Sequence, residues 1–466
     1  MWTPELPDGH APLYERLVSA IDHDMRAGVL SAGERLPPQR ELAFRLGVSV
    51  GSVTRAYAEA ERRGLLSAHV GRGSFVRAQA DPLRDVPTRE RGAMIAQDRS
   101  VVDLRCNTPP PVSLVGALNA ALADLAVRGV LEPALQYVQG AGLPAVREAA
   151  TLWLDRQFGL QVQAGDLVQC NGGQHALALV FSSLCRPGDT VLCESSTFYG
   201  ARMAAEHFGI AMRGVAMDAE GLSPEALDRA AAETRSRLLF TVPTLHNPTS
   251  RTMSVQRRKE IAEVARARDL LILEDDAYYS YSGKPPQIAQ FAPERTIYLA
   301  SLSKGVCPGF RLAFLVLPQL FPVERMLRGV RALGYCPPAL GGLVFSQWVA
   351  DGRVDAIMAD VRKETSARFA MAQAALGTAM TQPGGPCSPH VWLPLSPLAA
   401  EQVAARALRS GVELTPPDAS AVSQDADSGL RLCLGAPDDR TSLAMALSVV
   451  SEALVRREEL ACEGVV

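Results

Sequence analysis

From residue 101 onward, short apolar runs alternate with stretches of helical character, and this alternation restricts the possible folds more than any other feature of the chain. The runs 190–193, 238–242, 270–273, 296–300 and 312–316 are separated by longer amphipathic segments. Such spacing predicts an α/β domain with a mostly parallel sheet covered by helices on both faces. The tail returns to a helix, with Leu443, Leu447, Val450 and Leu454 on one face.

The first 77 residues follow a different pattern. Leu13, Leu17, Ile21 and Met25 recur at four-residue spacing and predict one helix, ended near Gly28. Pro37 and Pro38 precede a second short helix, 39–46, broken by Gly47. Ser49 or Gly51 opens a third, with Val53, Tyr57 and Ala60 inward and Gly64 at its stop. Residues 65–76 read as short strands around Gly71-Arg72-Gly73. The whole chain carries a net charge of only -3, but residues 35–77 hold eight Arg and no Lys against three Glu, a local +5. That is an electrostatic footprint for phosphates. Residues 78–100 mix Asp, Arg, Pro and Thr without periodicity and read as a linker, reaching about 25 Å on average if flexible.

Three helices and a hairpin make a winged helix-turn-helix. The segments Leu36-Pro37-Pro38-Gln39-Arg40-Glu41-Leu42-Ala43, Leu46-Gly47-Val48-Ser49, Thr54-Arg55-Ala56-Tyr57 and Gly64-Leu65-Leu66 resemble the GntR family. The resemblance implies that the third helix enters the major groove of double-stranded operator DNA and that the hairpin is a wing. By position, Arg40, Ser49, Ser52, Thr54 and Arg55 are the contact candidates, with Arg72 at the wing tip. Hydroxyls suit phosphates, and Arg suits guanine edges. Val50 stands where relatives often carry Arg.

A second set of motifs follows the apolar runs of the large domain. Ser301-Leu302-Ser303-Lys304, with Arg311 seven residues on, resembles the Schiff-base segment of fold-type I aminotransferases, which bind pyridoxal 5′-phosphate (PLP). The resemblance implies that Lys304 carries the cofactor and that Ser301, Ser303 and Arg311 contact its phosphate. It assigns Asp275, in Glu274-Asp275-Asp276-Ala277-Tyr278, to the ring nitrogen and Tyr278 to the phenolic oxygen. By the same resemblance, Asn247, in His246-Asn247-Pro248-Thr249, would be the second donor to that oxygen. Asn171-Gly172-Gly173-Gln174 precedes a helical run, so the N–H groups of Gly173 and Gln174 can hold phosphate at a helix N-terminus. The resemblance also implies that Phe198, in Thr197-Phe198-Tyr199-Gly200, stacks on the ring. Tyr137 aligns with a tyrosine that reaches the partner subunit's phosphate. Arg431, in Leu430-Arg431-Leu432, matches the family's arginine for a substrate α-carboxylate, a task suited to a bidentate guanidinium. Two departures stand out: Ser195-Ser196 replaces a Pro-containing form of the stacking loop, and Ser250 stands where many enzymes have Gly.

The fusion of these two parts is identified as the architecture of the MocR subfamily of GntR regulators. The resemblance implies a homodimer and a regulator that senses PLP, or an amine or amino-acid effector, through the aldimine at Lys304. The alternative is an active aminotransferase carrying a DNA-binding module. Nine scattered Cys, none in a CxxC pair or clustered with His, predict reduced thiols and no metal site. The chain opens without a charged-then-apolar leader and contains no long apolar run, so the expectation is a cytoplasmic protein outside the membrane. The expected domains are 1–77, 78–100 and 101–466.

Overall fold

The computed structural model describes residues 2–4, 6, 12–31, 33–69, 73–77, 101–283, 285–319 and 321–462. The chain divides into two units, Met1–Gln97 and Asp98–Val466. Residues 70–72, with Arg72, and the expected linker 78–100 lie outside the described residues.

In the first unit, α1 (Leu13–Arg26), α2 (Gln39–Leu46) and α3 (Val50–Arg62) precede a hairpin of β1 (Leu66–His69) and β2 (Gly73–Val76). Local chemistry sets the boundaries. Pro38 precedes α2 and cannot extend it backwards, while Gly47 ends it in the left-handed region at φ 64°. Ser49 caps α3, its Oγ accepting from the Ser52 N–H at 3.1 Å. Leu17 and Ile21 of α1, Leu42 of α2, and Val53, Ala56, Tyr57 and Ala60 of α3 form one core with Leu66 and Val76. Tyr57 is buried there and satisfies its hydroxyl by donating to the Pro37 carbonyl at 2.8 Å. In the hairpin, Leu66 opposes Val76 and His69 opposes Gly73.

The second unit is built on a seven-stranded sheet. In chain order its strands are β3 (Leu167–Cys170), β4 (Thr190–Glu194), β5 (Ala211–Val215), β6 (Leu238–Thr241), β7 (Leu271–Asp275), β8 (Thr296–Ser301) and β9 (Ala313–Val316). Their spatial order is β3-β9-β8-β7-β6-β4-β5. Six strands run in one direction, and β9 is antiparallel to both neighbours. The cause is the connection from β8: residues 302–312 are too few for a helical crossover, so the chain doubles back. That same turn carries Lys304.

Both faces of the sheet are covered. Leu192, Leu239 and Ile272 share a core with Leu227 of α6 (Pro224–Thr234) and Ile261 of α7 (Val255–Ala267). Their strand neighbours Val191, Cys193, Leu238, Phe240 and Leu273 belong to the core of the opposite face, as a period of two requires. On that opposite side, α4 (Gly173–Leu184) follows β3 and α5 (Tyr199–His207) follows β4. Beyond the sheet, β10 (His390–Pro394) pairs antiparallel with β11 (Gly429–Cys433), setting His390 opposite Cys433 and Trp392 opposite Arg431. The Cys433 N–H also bonds the Leu104 carbonyl, which fastens β11 to the segment carrying Arg105 and Asn107. The last helix, α8 (Arg440–Cys462), buries Leu443, Leu447 and Val450 and half-buries Leu454. Among the described residues, no helix is long and apolar enough to cross a membrane.

Candidate functional site

The polar motifs of the second unit gather at the carboxyl ends of the parallel strands, where an open α/β sheet leaves a crevice. Gly172 and Gly173 follow β3, Phe198 follows β4, Asn247 follows β6, Asp275 ends β7, and Ser301 ends β8 with Lys304 in the turn after it. Gly172 stands at φ +81°, and a Cβ there would overlap the Arg311 guanidinium. A Cβ on Gly173 would lie 4.0 Å from Ser301 Oγ, which accepts from the Ser303 N–H at 3.2 Å. Gly172, Gly173, Ser301, Ser303 and Arg311 therefore form one cradle. The first turn of α4 leaves N–H groups without intrahelical partners, and the helix dipole adds positive potential. Gln174 behaves differently from its neighbour: its side-chain amide crosses to the Gly200 carbonyl at 2.7 Å, joining α4 to α5. Phe198 caps α5, half-buried, with its ring edge-on to Tyr199 at 5.2 Å between centroids.

Lys304 lies deeper, its Nζ donating to the Asn107 carbonyl. Burial pushes its amine below the ordinary lysine range. Asp275 is buried nearby, and desolvation raises its carboxyl to about 7, with the Ala277 N–H and Lys304 pulling the other way. The buried Tyr278 hydroxyl accepts from Asn107 Nδ2 at 3.0 Å and from Asn247 Nδ2 at 3.4 Å. Arg431 points into the same space from β11. It donates to Asn247 Oδ1 at 2.6 Å, to the Arg105 carbonyl at 2.7 Å and to Thr415 Oγ1 at 3.1 Å, and its Nε is buried without a partner.

Tyr137 is not in this cluster. It is 70 % exposed and meets Tyr335 edge-on at 4.7 Å between ring centroids. Ser250 sits in the left-handed region at φ 62°, a conformation that favours glycine, and holds it while donating to the His390 carbonyl at 3.0 Å. Two further residues belong to the site although no motif pointed to them. Asn107 lies in an irregular stretch before three prolines, and His390 opens an apolar strand. Asn107 Nδ2 and His390 Nδ1 are 3.0 Å apart.

In the first unit, Ser49 caps α3, Ser52, Thr54 and Arg55 lie in its first two turns, and Arg40 lies in the first turn of α2. Arg40, Thr54 and Arg55 are exposed, and Ser49 and Ser52 share a hydrogen bond at 2.9 Å between hydroxyls. Thr54 donates to Gln39 Oε1 at 2.8 Å, tying α3 to the first residue of α2 and making Gln39 a neighbour of the same surface. Arg55 is partly engaged already: its guanidinium carbon lies 4.0 Å from the centroid of the Tyr14 ring on α1.

Comparison with known proteins matches residues 102–449 to the family "Aminotransferase class I and II" and residues 13–76 to "Bacterial regulatory proteins, gntR family". The HTH-type transcriptional regulator YdeF of Bacillus subtilis is 31% identical over 329 residues, covering 70% of each chain. This chain belongs to the MocR subfamily of GntR regulators. The large domain of this MocR-type chain has the fold-type I aminotransferase architecture. It superposes on Pyrococcus horikoshii kynurenine aminotransferase with a TM-score of 0.70 at 25% identity, over 82% of this chain and 99% of that one. An archaeal alanine:glyoxylate aminotransferase gives a TM-score of 0.71 at 23% identity, over 77% and 91%. The aromatic-amino-acid aminotransferase 1 of Thermococcus litoralis is 25% identical over 56% of this chain and 64% of its own.

Class I and II aminotransferase architecture implies PLP as the cofactor of the MocR-type domain. The residues present fit that molecule. The cradle at Gly172 has no room for a Cβ beside Arg311, as expected where backbone and guanidinium close on an anion. A buried lysine amine and a buried carboxylic acid stand in the same pocket with two amide groups around a tyrosine hydroxyl.

Proposed function

We propose that this chain is a cytoplasmic, homodimeric transcription regulator whose large domain holds PLP on Lys304 and senses PLP itself, or an amine or amino acid that reaches it. The observation that carries the proposal is the convergence of Lys304, Asp275, Tyr278, Asn247 and Arg431 in one pocket of a chain that also has a GntR-type module. PLP, when bound, supplies an aldehyde for amines and a ring that withdraws electrons. The residues would divide the work. Gly173, Gln174, Ser301, Ser303 and Arg311 would hold the phosphate, and Phe198 would pack on the ring. Asp275 would share a proton with the ring nitrogen, and Tyr278 and Asn247 would donate toward the phenolic oxygen. Lys304, its amine lowered from the ordinary lysine range by burial, would supply the nucleophilic amine. Arg431 would take an effector carboxylate, exchanging its present contacts with Asn247 Oδ1, Arg105 and Thr415 for two charge-assisted bonds.

Exposure of Tyr137 and Tyr335 side by side supports a second copy of the chain at this edge of the domain, where Tyr137 would serve the partner's phosphate. Arg40, Ser49, Ser52, Thr54, Arg55 and Arg72 would meet one operator half-site per module. A coupling of ~1–3 kcal/mol between ligand and DNA sites is enough for regulation and equals a roughly 5- to 150-fold change in affinity. Gel-shift titrations on the chain's own promoter, with and without PLP and with a panel of amines and amino acids, test the proposal. A change in that range is expected, and unchanged DNA affinity under every ligand overturns it.

The presence of Lys304, Asp275 and Arg431 together also favours a second reading, in which the chain retains aminotransferase activity. Turnover of an amino donor with a 2-oxo acid at ~1 per second or more would establish that reading.

A further inference from the structure

Behind Tyr278 lies a series of hydrogen bonds that can run in only one direction, and it starts at a main-chain carbonyl. The His246 carbonyl can only accept. His390 Nε2 lies 3.1 Å from it, so this nitrogen carries a proton. His390 is buried next to Arg431, and burial pushes its pKa down to about 3. The ring is therefore neutral, and its Nδ1 is an acceptor. Asn107 faces Nδ1 at 3.0 Å and must present its NH2 group. The other N–H of that group reaches the Tyr278 hydroxyl oxygen at 3.0 Å.

Asn247 is oriented independently. Arg431 donates to its Oδ1 at 2.6 Å, which leaves Nδ2 to face the same hydroxyl at 3.4 Å. Two donors thus converge on the Tyr278 oxygen, and the hydroxyl proton is turned away from both. One atom is left over: Asn107 Oδ1 is buried without a partner. Turning the amide over would give that oxygen the Tyr278 proton but would set two acceptors against each other at His390 Nδ1. An under-used carbonyl oxygen is the milder defect.

Resting on the PLP reading above, we infer that Asn107 and His390 are positioning residues that aim the Tyr278 hydroxyl proton into the ligand pocket, making Tyr278 a fixed donor to an anionic oxygen there. Their side chains act through Tyr278. The charged and titratable groups facing Tyr278 include His390 from β10, Arg431 and Cys433 from β11, Asp275 from β7 and Tyr199 from α5. Of these, the Arg431 charge favours an anion nearby, so the hydroxyl and the guanidinium act with the same sign.

The inference is tested on the full chain in two ways. First, ring-nitrogen shifts of 15N-histidine-labelled protein without cofactor report the tautomer, with His390 assigned by the signal lost in His390→Asn. The Nε2–H form is expected, and the Nδ1–H form or a charged ring overturns the inference. Second, the pH midpoint of the visible absorbance is followed after PLP is added to wild type, His390→Gln and His390→Asn. Glutamine keeps a donor for the His246 carbonyl but offers Asn107 no acceptor, which frees the amide to turn and take the Tyr278 proton. Asparagine keeps the acceptor for Asn107. His390→Gln should raise the midpoint by about one pH unit, the tenfold effect of losing one hydrogen bond to a charged oxygen. His390→Asn should stay near wild type. Equal midpoints in the two variants overturn the inference. A wild-type chain that takes up no colour sinks the cofactor reading instead, and the tautomer measurement still decides the positioning role.

Discussion

Replacing Gly172 with alanine probes the phosphate cradle where the structure leaves no space. Two effects separate. The backbone stands at φ +81° and ψ 171°, a region essentially reserved for glycine, so any Cβ strains the folded domain by ~1–3 kcal/mol. The added methyl also overlaps the Arg311 guanidinium and must displace it. Loss of one charge-assisted hydrogen bond from Arg311 to a bound phosphate costs ~1.5–3 kcal/mol, or roughly 10- to 150-fold in the Kd for PLP. The first effect is read as a lower thermal midpoint of the full chain, and the second as weaker PLP binding in equilibrium dialysis. Gly173→Ala is the control, because that glycine has no positive φ and its nearest neighbours, Leu299 and Ser301, lie 4.0 Å from the new methyl. Gly172→Ala binding PLP within about threefold of wild type, or Gly173→Ala losing as much, would refute the cradle.

Lys304→Ala is expected to abolish borohydride fixation of PLP to the chain, seen by mass spectrometry, while DNA binding without ligand stays intact; label retained at another residue would contradict the assignment. Asp275 has a folded-state pKa of about 7 against an ordinary 3.8, so the folded chain keeps a proton that the unfolded chain releases. Before cofactor binds, its stabilising contribution is full below about pH 4 and declines towards pH 7 by roughly 1.4 kcal/mol per unit. The unfolding free energy of wild type minus that of Asp275→Asn should fall across this window, and a flat difference would count against the buried acid. Ser49→Ala removes the cap of α3 and should cost about 1 kcal/mol, read as faster amide exchange in its first turn and weaker operator binding. Ser250→Gly relieves a φ of 62° but loses the bond to the His390 carbonyl, two effects of about 1 kcal/mol and opposite sign, so the thermal midpoint should barely move.

Much of the site was legible because its residues sit in short motifs next to strand ends. Gly173 and the stretch from Ser301 to Arg311 lie in two segments more than a hundred residues apart, yet each segment follows an apolar run, and parallel strands bring such positions to one edge of the sheet. Lys304 was visible for the same reason. Asn107 and His390 were not, since neither belongs to a motif and their partners lie 171 and 283 residues away. Ser250 could be noted as a departure, but only its dihedral angle shows what glycine would have provided there.

Local chemistry, readable residue by residue, determined where the elements begin and end. Proline and glycine around α2, the serine cap of α3 and the apolar runs of the sheet all act over a few neighbouring residues, so the sequence alone carries them. Tertiary structure alone decided the hydrogen-bond directions: that Arg431 orients Asn247, that His390 orients Asn107, that Arg55 leans on Tyr14, and that Tyr137 stays outside its own pocket. Those choices depend on which donors and acceptors are buried together, and burial is a property of the packed chain, not of any stretch of it.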